Sequence, residues 1–365
     1  MKLLEALIQK EFYQIVRDPS SILIAFILPL IILLIYMYAI NLDTLKVTAG
    51  LKIDNNPREI SGFVESFMQN KYMKTLVYTN KQQMYKDLVS TKLRGIIVIP
   101  NDFYKKIKGN ETATIQVITD GSEVNLANYV QSYPKSIIQK WLIEETGIRP
   151  IITPEIRFWY NQDVNSHHFI LPGSLAITMT LIGMLLTALV VAREWERGTM
   201  EALITTRAKK IHIVLGKYIS YFLLGMMSMY FSVFLCIYVF RIPFRGSPIV
   251  LTITAALFLF TALGQGLLIS TILKNQFTAS QAALVGGFLP SLMLSGLIYP
   301  ITSMPPYVQA LTGIIPARYF VSCIQSEFLA GTIWEIVIPN SIFLLILGII
   351  LFLAVYMKTE TRLDY

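Results

Sequence analysis

Charged side chains are scarce in this chain of 365 residues. They make up 15% of the sequence, whereas 54% of the residues are hydrophobic. A typical soluble domain carries about 25% charged residues. A soluble globule of this length could not bury so much apolar surface, and the apolar residues also fall in long runs. The composition therefore excludes an ordinary soluble protein and indicates a chain embedded in a membrane.

Cysteine and histidine are almost absent. Cys236 and Cys323 lie in or beside apolar stretches and form no CxxC pair, so no disulfide framework is expected. His167 and His168 lack the further ligands that a metal site needs. No Ser/His/Asp or Cys/His set is placed for catalysis, so the chain is predicted not to be an enzyme. The net charge of +8 is concentrated beside the apolar runs, which favours a lipid membrane over nucleic acid as the partner.

A nucleotide-binding site is also missing. The sequence contains no G-x-x-x-x-G-K-[ST] loop to hold a phosphate. Ionisable residues are absent from the interiors of the apolar runs, which disfavours a proton-coupled transporter and a channel lined by charged rings. If the protein moves a substrate uphill, the energy must therefore come from a partner.

Six apolar runs are long enough to cross a bilayer of about 30 Å. The predicted spans cover residues 22–40, 169–192, 214–240, 249–273, 279–299 and 336–357. Residues 1–21 precede the first span and show apolar residues at helical spacing. They predict an amphipathic helix on the cytoplasmic membrane surface, with no cleavable signal peptide.

Residues 41–168 differ from the rest of the chain. They hold 16 of the 31 basic and 13 of the 23 acidic residues. Short β-like runs alternate with helical ones, which predicts an α/β domain inserted between spans 1 and 2. A closing strand is expected at 156–160. The domain is predicted to be extracytoplasmic.

Residues 300–335 are apolar but broken by four prolines. This pattern predicts two short re-entrant helices on the external side, which must be buried in protein or face water. Glu327 in this segment is expected to be an interfacial charge at the membrane edge, with a place facing the exit path as the alternative.

Lysine and arginine near the ends of the spans predict the orientation. With the N-terminus in the cytoplasm, the short cytoplasmic segments hold twelve such residues, Lys217 among them, and the short outer segments hold three. Positive residues accumulate on the cytoplasmic side. The N-terminus and the tail 358–365 are therefore predicted to be cytoplasmic.

The cytoplasmic segment 193–213 between spans 2 and 3 is the most informative motif. Gly198 can end the helix of span 2, and Thr199 is a suitable N-cap for a new one. A short helix just below the membrane could dock on a cytoplasmic partner, although a solvated loop made basic by the topology is the alternative. The candidate residues are Arg193, Glu194, Glu196, Arg197, Gly198, Thr199, Glu201 and Leu203.

This motif, R-E-x-E-x-G-T-x-E-x-L followed by Gly216-Lys217, resembles the coupling segment of ABC-2-type exporter permeases. Other features that resemble the family are the amphipathic first helix, the large domain between spans 1 and 2, Leu171-Pro172-Gly173 and the proline-rich segment before the last span. The resemblance covers essentially the whole chain and is greatest to the multidrug branch. The family often has a proline soon after the motif, where this chain has Thr205-Thr206-Arg207, so the resemblance does not fix the end of the coupling helix.

The resemblance implies a bacterial inner-membrane permease that exports drugs or other amphiphiles by alternating access. It implies a second permease, as a homodimer or heterodimer, and two copies of a cytoplasmic ATPase that binds ATP and Mg²⁺. It also allows a periplasmic adaptor as a partner. The mildly polar residues Gln265, Gln281, Ser291 and Ser295 are candidates for the substrate path. A receptor that uses the external domain, or a channel, remains the alternative.

Overall fold

The structure is a computed structural model of two compact units. One unit comprises residues 1–41 with 158–365, and the other comprises residues 42–157. The residues that it describes are 2–38, 47–53, 61–70, 73–90, 92–109, 112–119, 124–146, 166–206 and 208–359.

The elements are numbered here in chain order. The helices are α1 (Lys2–Arg17), α2 (Pro19–Tyr38), α3 (Ser61–Met68), α4 (Lys81–Val89), α5 (Phe103–Lys108), α6 (Val124–Thr146), α7 (Ser166–Glu196), α8 (Thr199–Ile204), α9 (Lys210–Val239), α10 (Pro248–Leu273), α11 (Gln276–Leu294), α12 (Pro306–Thr312), α13 (Pro316–Leu329) and α14 (Trp334–Lys358). The strands are β1 (Val47–Ile53), β2 (Met73–Tyr78), β3 (Gly95–Ile99) and β4 (Gln116–Thr119).

Six helices among the described residues are long and apolar enough to cross a membrane, namely α2, α7, α9, α10, α11 and α14. The predicted polytopic α-helical architecture is thereby confirmed. The first of them begins at Pro19 rather than at the predicted residue 22. Asp18 explains the earlier start, because its side chain accepts a hydrogen bond from Ser20 N at 3.3 Å and caps the helix before the apolar run begins.

The predicted end of the fifth span is wrong. The span was placed at 279–299, but α11 begins at Gln276 and ends at Leu294. Gly296 follows with φ +89°, a left-handed conformation that an α-helix cannot contain. The apolar run continues beyond this point, so hydropathy alone extended the helix too far.

Helix α7 forms the centre of the first unit. In the most apolar 18-residue stretch of α7, 89% is buried, whereas in the corresponding stretch of α14 17% is buried. Its hydroxyl groups bond to carbonyls of the preceding turn, as in Thr178 to Ser174 O at 2.8 Å and Thr180 to Ala176 O at 2.8 Å. These threonines of α7 can therefore lie in the core of the helical bundle with their hydroxyl groups satisfied.

The second unit contains a four-stranded sheet in the order β2-β1-β3-β4. The first three strands are parallel and β4 is antiparallel to β3. Phe63, Phe67, Phe103 and Trp141 cover one face of the sheet, and Met84 of α4 contacts the other. Helices on both faces follow from parallel strands, which need crossover connections. The closing strand expected at 156–160 lies outside the described residues.

The segment 300–335 contains a 3₁₀ turn at Ile301–Ser303 and the helices α12 and α13. Prolines begin both helices, where a missing N–H costs nothing. The two short helices expected from the prolines are therefore present. The predicted domain 41–168 also overlaps the start of α7, since that helix already begins at Ser166.

Candidate coupling site at the end of the central helix

The turn between α7 and α8 shapes the predicted coupling segment. Gly198 has φ +68° and occupies the N-cap position of α8. Thr199, which was predicted to be the cap, is instead the first helical residue. Its hydroxyl donates to the carbonyl oxygen of Glu194 at 3.3 Å, so it ties the new helix back to the end of α7. A left-handed residue between two helices turns the chain sharply, and glycine adopts that conformation without steric cost.

Helix α8 has one face held by the protein and another facing outward. Met200 is 1% exposed and packs inward. Glu201 and Ala202 are exposed, and Leu203 is partly buried. The helix therefore offers a small surface with one acidic and two apolar side chains.

Two threonines close this short helix where the resembled family often has a proline. Thr205 Oγ1 donates to Ala202 O at 2.8 Å, and Thr206 Oγ1 donates to Leu203 O at 2.7 Å. These bonds satisfy carbonyls that have no partner within the helix. Arg207 lies outside the described residues.

A charge cluster of Lys10, Glu11, Glu194 and Lys217 lies directly behind the turn. Lys217 Nζ lies 3.0 Å from Glu11 Oε1 and 2.6 Å from Glu194 Oε2. Lys10 Nζ lies 3.0 Å from Glu11 Oε1 and also contacts Glu194 Oε1. The cluster contains two positive and two negative groups, and it joins α1, α7 and α9.

Burial makes the pairing within the charge cluster important. The side chains of Glu11, Glu194 and Lys217 are between 2% and 4% exposed. An unpaired charge in such a place would cost several kcal/mol. In this cluster each buried charge has an opposite charge beside it. The ion pairs therefore stabilise the contact between the three helices.

The pKa of Glu11 reflects its partners. Burial alone would raise this pKa, but the ammonium groups of Lys217 and Lys10 outweigh burial and hold it below its ordinary value of 4.5. The ionised carboxylate therefore stabilises the fold fully above that ordinary value. The contribution is lost as the pH falls through the lower pKa of the folded state.

Two further contacts fix the C-terminal end of α7. Arg193 donates to Asp18 Oδ2 at 2.7 Å, and Asp18 also accepts from the hydroxyl of Ser21 at 2.8 Å. Glu196 accepts from Gln276 N at 2.8 Å and from the side-chain amide of the same residue. The end of α7 is thus connected to the starts of α2 and α11.

The predicted candidates of the coupling segment therefore fall into two groups. Arg193, Glu194 and Glu196 make contacts within the chain. Four others are exposed or partly exposed at the turn and on α8, namely Arg197, Thr199, Glu201 and Leu203. Glu194 is buried and Arg193 is mostly so, whereas Glu196 is exposed together with most of the second group.

The substrate-path candidates occupy different surroundings. Gln265 is partly buried in α10 and Gln281 is exposed on α11. Ser291 and Ser295 are 3% and 1% exposed. Of the four candidates, the two serines are the most buried.

Sequence analysis missed most of the charge cluster. Lys217 was counted as a topology charge and noted after the coupling motif, whereas the structure buries it in the charge cluster. A signal for Glu11 was present, because it falls on the same helical face as Leu4, Ile8 and Ile15. An acid on the apolar stripe of an amphipathic helix indicates a buried partner.

Comparisons with known proteins agree with this architecture. A family model described as ABC-2 family transporter protein matches residues 19–357. The chain is 46% identical to "Probable multidrug ABC transporter permease YbhS" of Escherichia coli K12, over 98% of this chain and 97% of that protein. It is 27% identical to "Probable multidrug ABC transporter permease YbhR" of the same strain, over 91% of each. It is 20% identical to "Linearmycin resistance permease protein LnrN" of Bacillus subtilis, over 88% of this chain and 90% of that protein.

Proposed function

The chain belongs to the ABC-2 family of transporter proteins, and from that premise we propose that it exports drugs or other amphiphilic molecules from the cell, driven by ATP. As a member of this family it is a permease subunit of an ABC transporter and acts in transport. The finer proposal rests on the exposed helix α8, which projects from the end of the most buried span. The word multidrug in the names of two relatives supports amphiphiles as the cargo.

The energy for transport comes from a separate subunit in this proposal. The sequence has no phosphate-binding loop of its own. Two copies of a cytoplasmic ABC ATPase bind ATP and Mg²⁺ and pair with two permeases, either two copies of this chain or this chain with a related one. The permease contributes the path and the surface on which the ATPase acts.

Helix α8 is the surface on which the ATPase acts. Its exposed Glu201 and Ala202 dock into a cleft on the ATPase, and Leu203 adds apolar contact area. Closure of the ATPases pushes α8, and the turn at Gly198 passes the displacement to α7. Because α7 lies at the centre of the bundle, its tilt opens the path by alternating access.

The charge cluster couples the movement of α7 to that of the neighbouring helices. Glu194 on α7 shares Lys217 of α9 with Glu11 of α1. A tilt of α7 therefore moves three helices together rather than one. Arg193 with Asp18 extends the same connection to the start of α2.

The topology follows from the positive residues beside the spans. We place both termini and the coupling segment in the cytoplasm of a bacterium, and residues 42–157 outside it. In this proposal the unit 42–157 is the part of the chain available there to a periplasmic adaptor.

Glu201→Lys tests the proposal. The variant reverses the charge of the docking surface, so we expect export to fall by about tenfold or more, since like charges across an interface cost about 1.4 kcal/mol or more. Export and ATP hydrolysis are measured in vesicles that contain the permease and the ATPase that copurifies with it. Glu335→Lys is the matched control, because Glu335 is exposed at the start of α14 and carries the same charge change.

Copurification and the export assay together distinguish three outcomes. Stoichiometric copurification of an ATPase with the wild type, together with normal insertion but lost export in Glu201→Lys, supports the proposal. Unchanged export by this variant removes α8 from the coupling pathway. A chain that binds no ATPase and conducts or signals alone overturns the transporter function itself.

A further inference from the structure

The last turn of α7 has a second contact face besides the one that meets the charge cluster. Trp195 and Glu196 follow Ala192 by three and four residues, so the three positions lie on one side of the helix. Arg193 and Glu194 point to the other side, where they contact Asp18 and the lysines of the charge cluster. All three positions of the second face contact the segment in which α10 ends and α11 begins.

The first contact of this face joins the backbone of α7 to α10. Ser270 of α10 is 0% exposed, and its hydroxyl oxygen accepts a hydrogen bond from Ala192 N at 2.9 Å. A backbone N–H inside an α-helix ordinarily donates to the carbonyl oxygen four residues earlier. An acceptor from a neighbouring helix at this position therefore ties the end of α10 directly to the backbone of α7.

The other two contacts are made by side chains of α7. Lys274 Nζ lies 4.5 Å from the centroid of the Trp195 ring, a distance at which an ammonium group is attracted to the face of an indole. Glu196 accepts from Gln276 N at 2.8 Å and from the side-chain amide of the same residue. The turn after α10 and the first residue of α11 are therefore both bound to the last turn of α7.

Lys274 has a backbone conformation that lysine ordinarily avoids. Its φ is +52°, in the left-handed region, and it is the C-cap residue of α10. Glycine is the usual residue at such a position, because a Cβ makes the left-handed conformation costly. The turn thus keeps a strained residue whose ammonium group reaches Trp195. Backbone strain of this kind is concentrated at sites where it serves a function.

Helix α11 depends on α7 for its position. In its most apolar 18-residue stretch only 22% is buried, so little of its surface is held by the bundle. Gly287 in the middle of α11 packs against Met184 of α7, where an added Cβ would lie 1.9 Å from Met184 Cε. Segments with few buried contacts move most easily. Because α7 contacts α11 both at its start and at its middle, a displacement of α7 is expected to displace α11 as well.

We propose that Trp195, Glu196 and Lys274 are positioning residues that carry the displacement of α8 and of the end of α7 to the start of α11. These residues and Gln276 are called the α7–α11 clamp. The inference rests on the proposed function, since the ATPase is what displaces α8. It adds a second moving span, so that α7 and α11 move together and the path opens between more than one pair of helices.

Hydrogen–deuterium exchange on the full chain with its copurifying ATPase, in lipid nanodiscs, tests this inference. Exchange is compared with and without ATP and Mg²⁺ in two peptides. Residues 199–206 report on α8, and residues 274–284 report on Gln276 N and the first turns of α11. In the wild type we expect ATP to change the exchange of both peptides. In Lys274→Gly the α8 peptide should keep its response, whereas the response of the α11 peptide should fall by about threefold, the factor to which the loss of a cation–π contact corresponds.

Further variants separate coupling from structural damage. Lys274→Gly relieves the strain of the left-handed residue, which offsets the greater freedom of its unfolded chain, so its resistance to unfolding by dodecyl sulfate should not fall. Lys274→Arg keeps a cation beside Trp195 and should retain the α11 response. Glu196→Ala removes the other half of the clamp and should also weaken that response. Glu335→Ala, an exposed acid at the start of α14, is its matched control and should behave as the wild type.

The two peptides distinguish failure of the clamp from failure of the proposed function. If α8 responds to ATP and α11 does not, or if α11 responds equally in wild type, Lys274→Gly and Glu196→Ala, the clamp is overturned while coupling through α8 stands. A weaker response in Lys274→Gly that comes with an equal loss of resistance to unfolding also overturns it, because the contact is then structural. If neither peptide of the wild type responds, coupling through α8 fails and the clamp fails with it.

Discussion

The two ends of the membrane-spanning unit bury carboxylates in different ways. At one end, Glu11 and Glu194 share Lys10 and Lys217, so four charges sum to zero. At the other end, Glu327 is buried rather than interfacial, and it has hydrogen-bond donors but no ion-pair partner among the described residues. At each end one buried carboxylate oxygen, Glu11 Oε2 or Glu327 Oε1, has no hydrogen-bond partner among those residues. A buried carboxylate must be compensated, and the first end compensates with opposite charges whereas the second does so with hydrogen bonds. The first end is therefore expected to lose more stability than the second when one partner is removed.

Lys217→Met is expected to produce the largest effect. It removes one positive charge and leaves two buried carboxylates to share Lys10. Removing one partner from a buried ion pair costs about 3–5 kcal/mol, so the free energy of unfolding should fall by about that amount. Unfolding is measured in mixed detergent micelles with increasing dodecyl sulfate.

The effect of the net charge of the cluster on stability can be separated from the effect of the changed side-chain volume. Glu194→Gln added to Lys217→Met restores a net charge of zero and should recover part of the lost stability. Lys358→Met removes an exposed lysine at the end of α14 and should leave stability unchanged. Equal stability of Lys217→Met and Lys358→Met would show that the cluster does not hold the helices together.

Gly246→Ala should have the second largest effect and acts at the other end. Its Cβ would lie 1.9 Å from Glu327 Oε2 and 2.8 Å from the Glu327 carbonyl oxygen. Overpacking of this kind costs about 1–3 kcal/mol, measured as the loss in free energy of unfolding. Gly286→Ala is the control, since nothing lies within 4 Å of its added Cβ.

A double variant shows whether Glu327 is the group displaced. Glu327→Ala removes the nearest obstructing atom, so Gly246→Ala should cost less in that background than in the wild type. Equal cost in both backgrounds would place the clash at the backbone rather than at the carboxylate.

Asp18→Ala should cost about 1–2 kcal/mol, because it removes the N-cap of α2 and the partner of Arg193. Burial would raise the pKa of Asp18, but hydrogen bonds from Arg193 and Ser21 hold it below 3.8. The ionised group therefore stabilises the fold above that value, and its contribution is lost as the pH falls through the lower folded-state pKa.

The measurement is the free energy of unfolding of wild type and variants between about pH 7 and about pH 3, a range that spans the ordinary pKa of aspartate. Asp18→Asn keeps a good N-cap but removes the charge. Its loss in free energy of unfolding should therefore be about half that of Asp18→Ala. A gap between wild type and Asp18→Asn that does not narrow below about pH 4 would contradict the assignment.

The spans could be predicted from the sequence because each is a local apolar run. Their ends could not all be predicted, since apolar residues continue past Leu294 while Gly296 turns the backbone away. The second unit was also predictable from its alternating strands and helices, because period-2 and period-3.6 patterns are local.

The charge cluster and the contacts of Glu327 could not be predicted from such local patterns. Lys10 is 184 residues from Glu194, and Lys217 is 206 residues from Glu11. No local periodicity encodes which distant helices meet. The burial of Glu327 likewise depends on a loop about 80 residues away, where Ser247 donates to it. The coupling motif was recognised from its residues, but its division into inward and outward side chains required the packing of α1 and α9.

Gly198→Ala should have the smallest effect and tests whether the turn acts apart from the charge cluster. Gly198 has φ +68°, yet nothing lies within 4 Å of an added Cβ, so only backbone strain opposes the change. That strain costs about 1–2 kcal/mol, and the smaller entropy of the unfolded chain offsets about 0.4–1 kcal/mol of it. The net loss in free energy of unfolding should be about 0–1.6 kcal/mol, and Gly198→Asn should lose less, because asparagine tolerates the left-handed region. Since Thr199 bonds to the carbonyl of Glu194, strain at the turn could instead spread into the cluster. In that case the losses of Gly198→Ala and Lys217→Met would fail to add in the double variant, and the turn and the cluster would have to be treated as one unit.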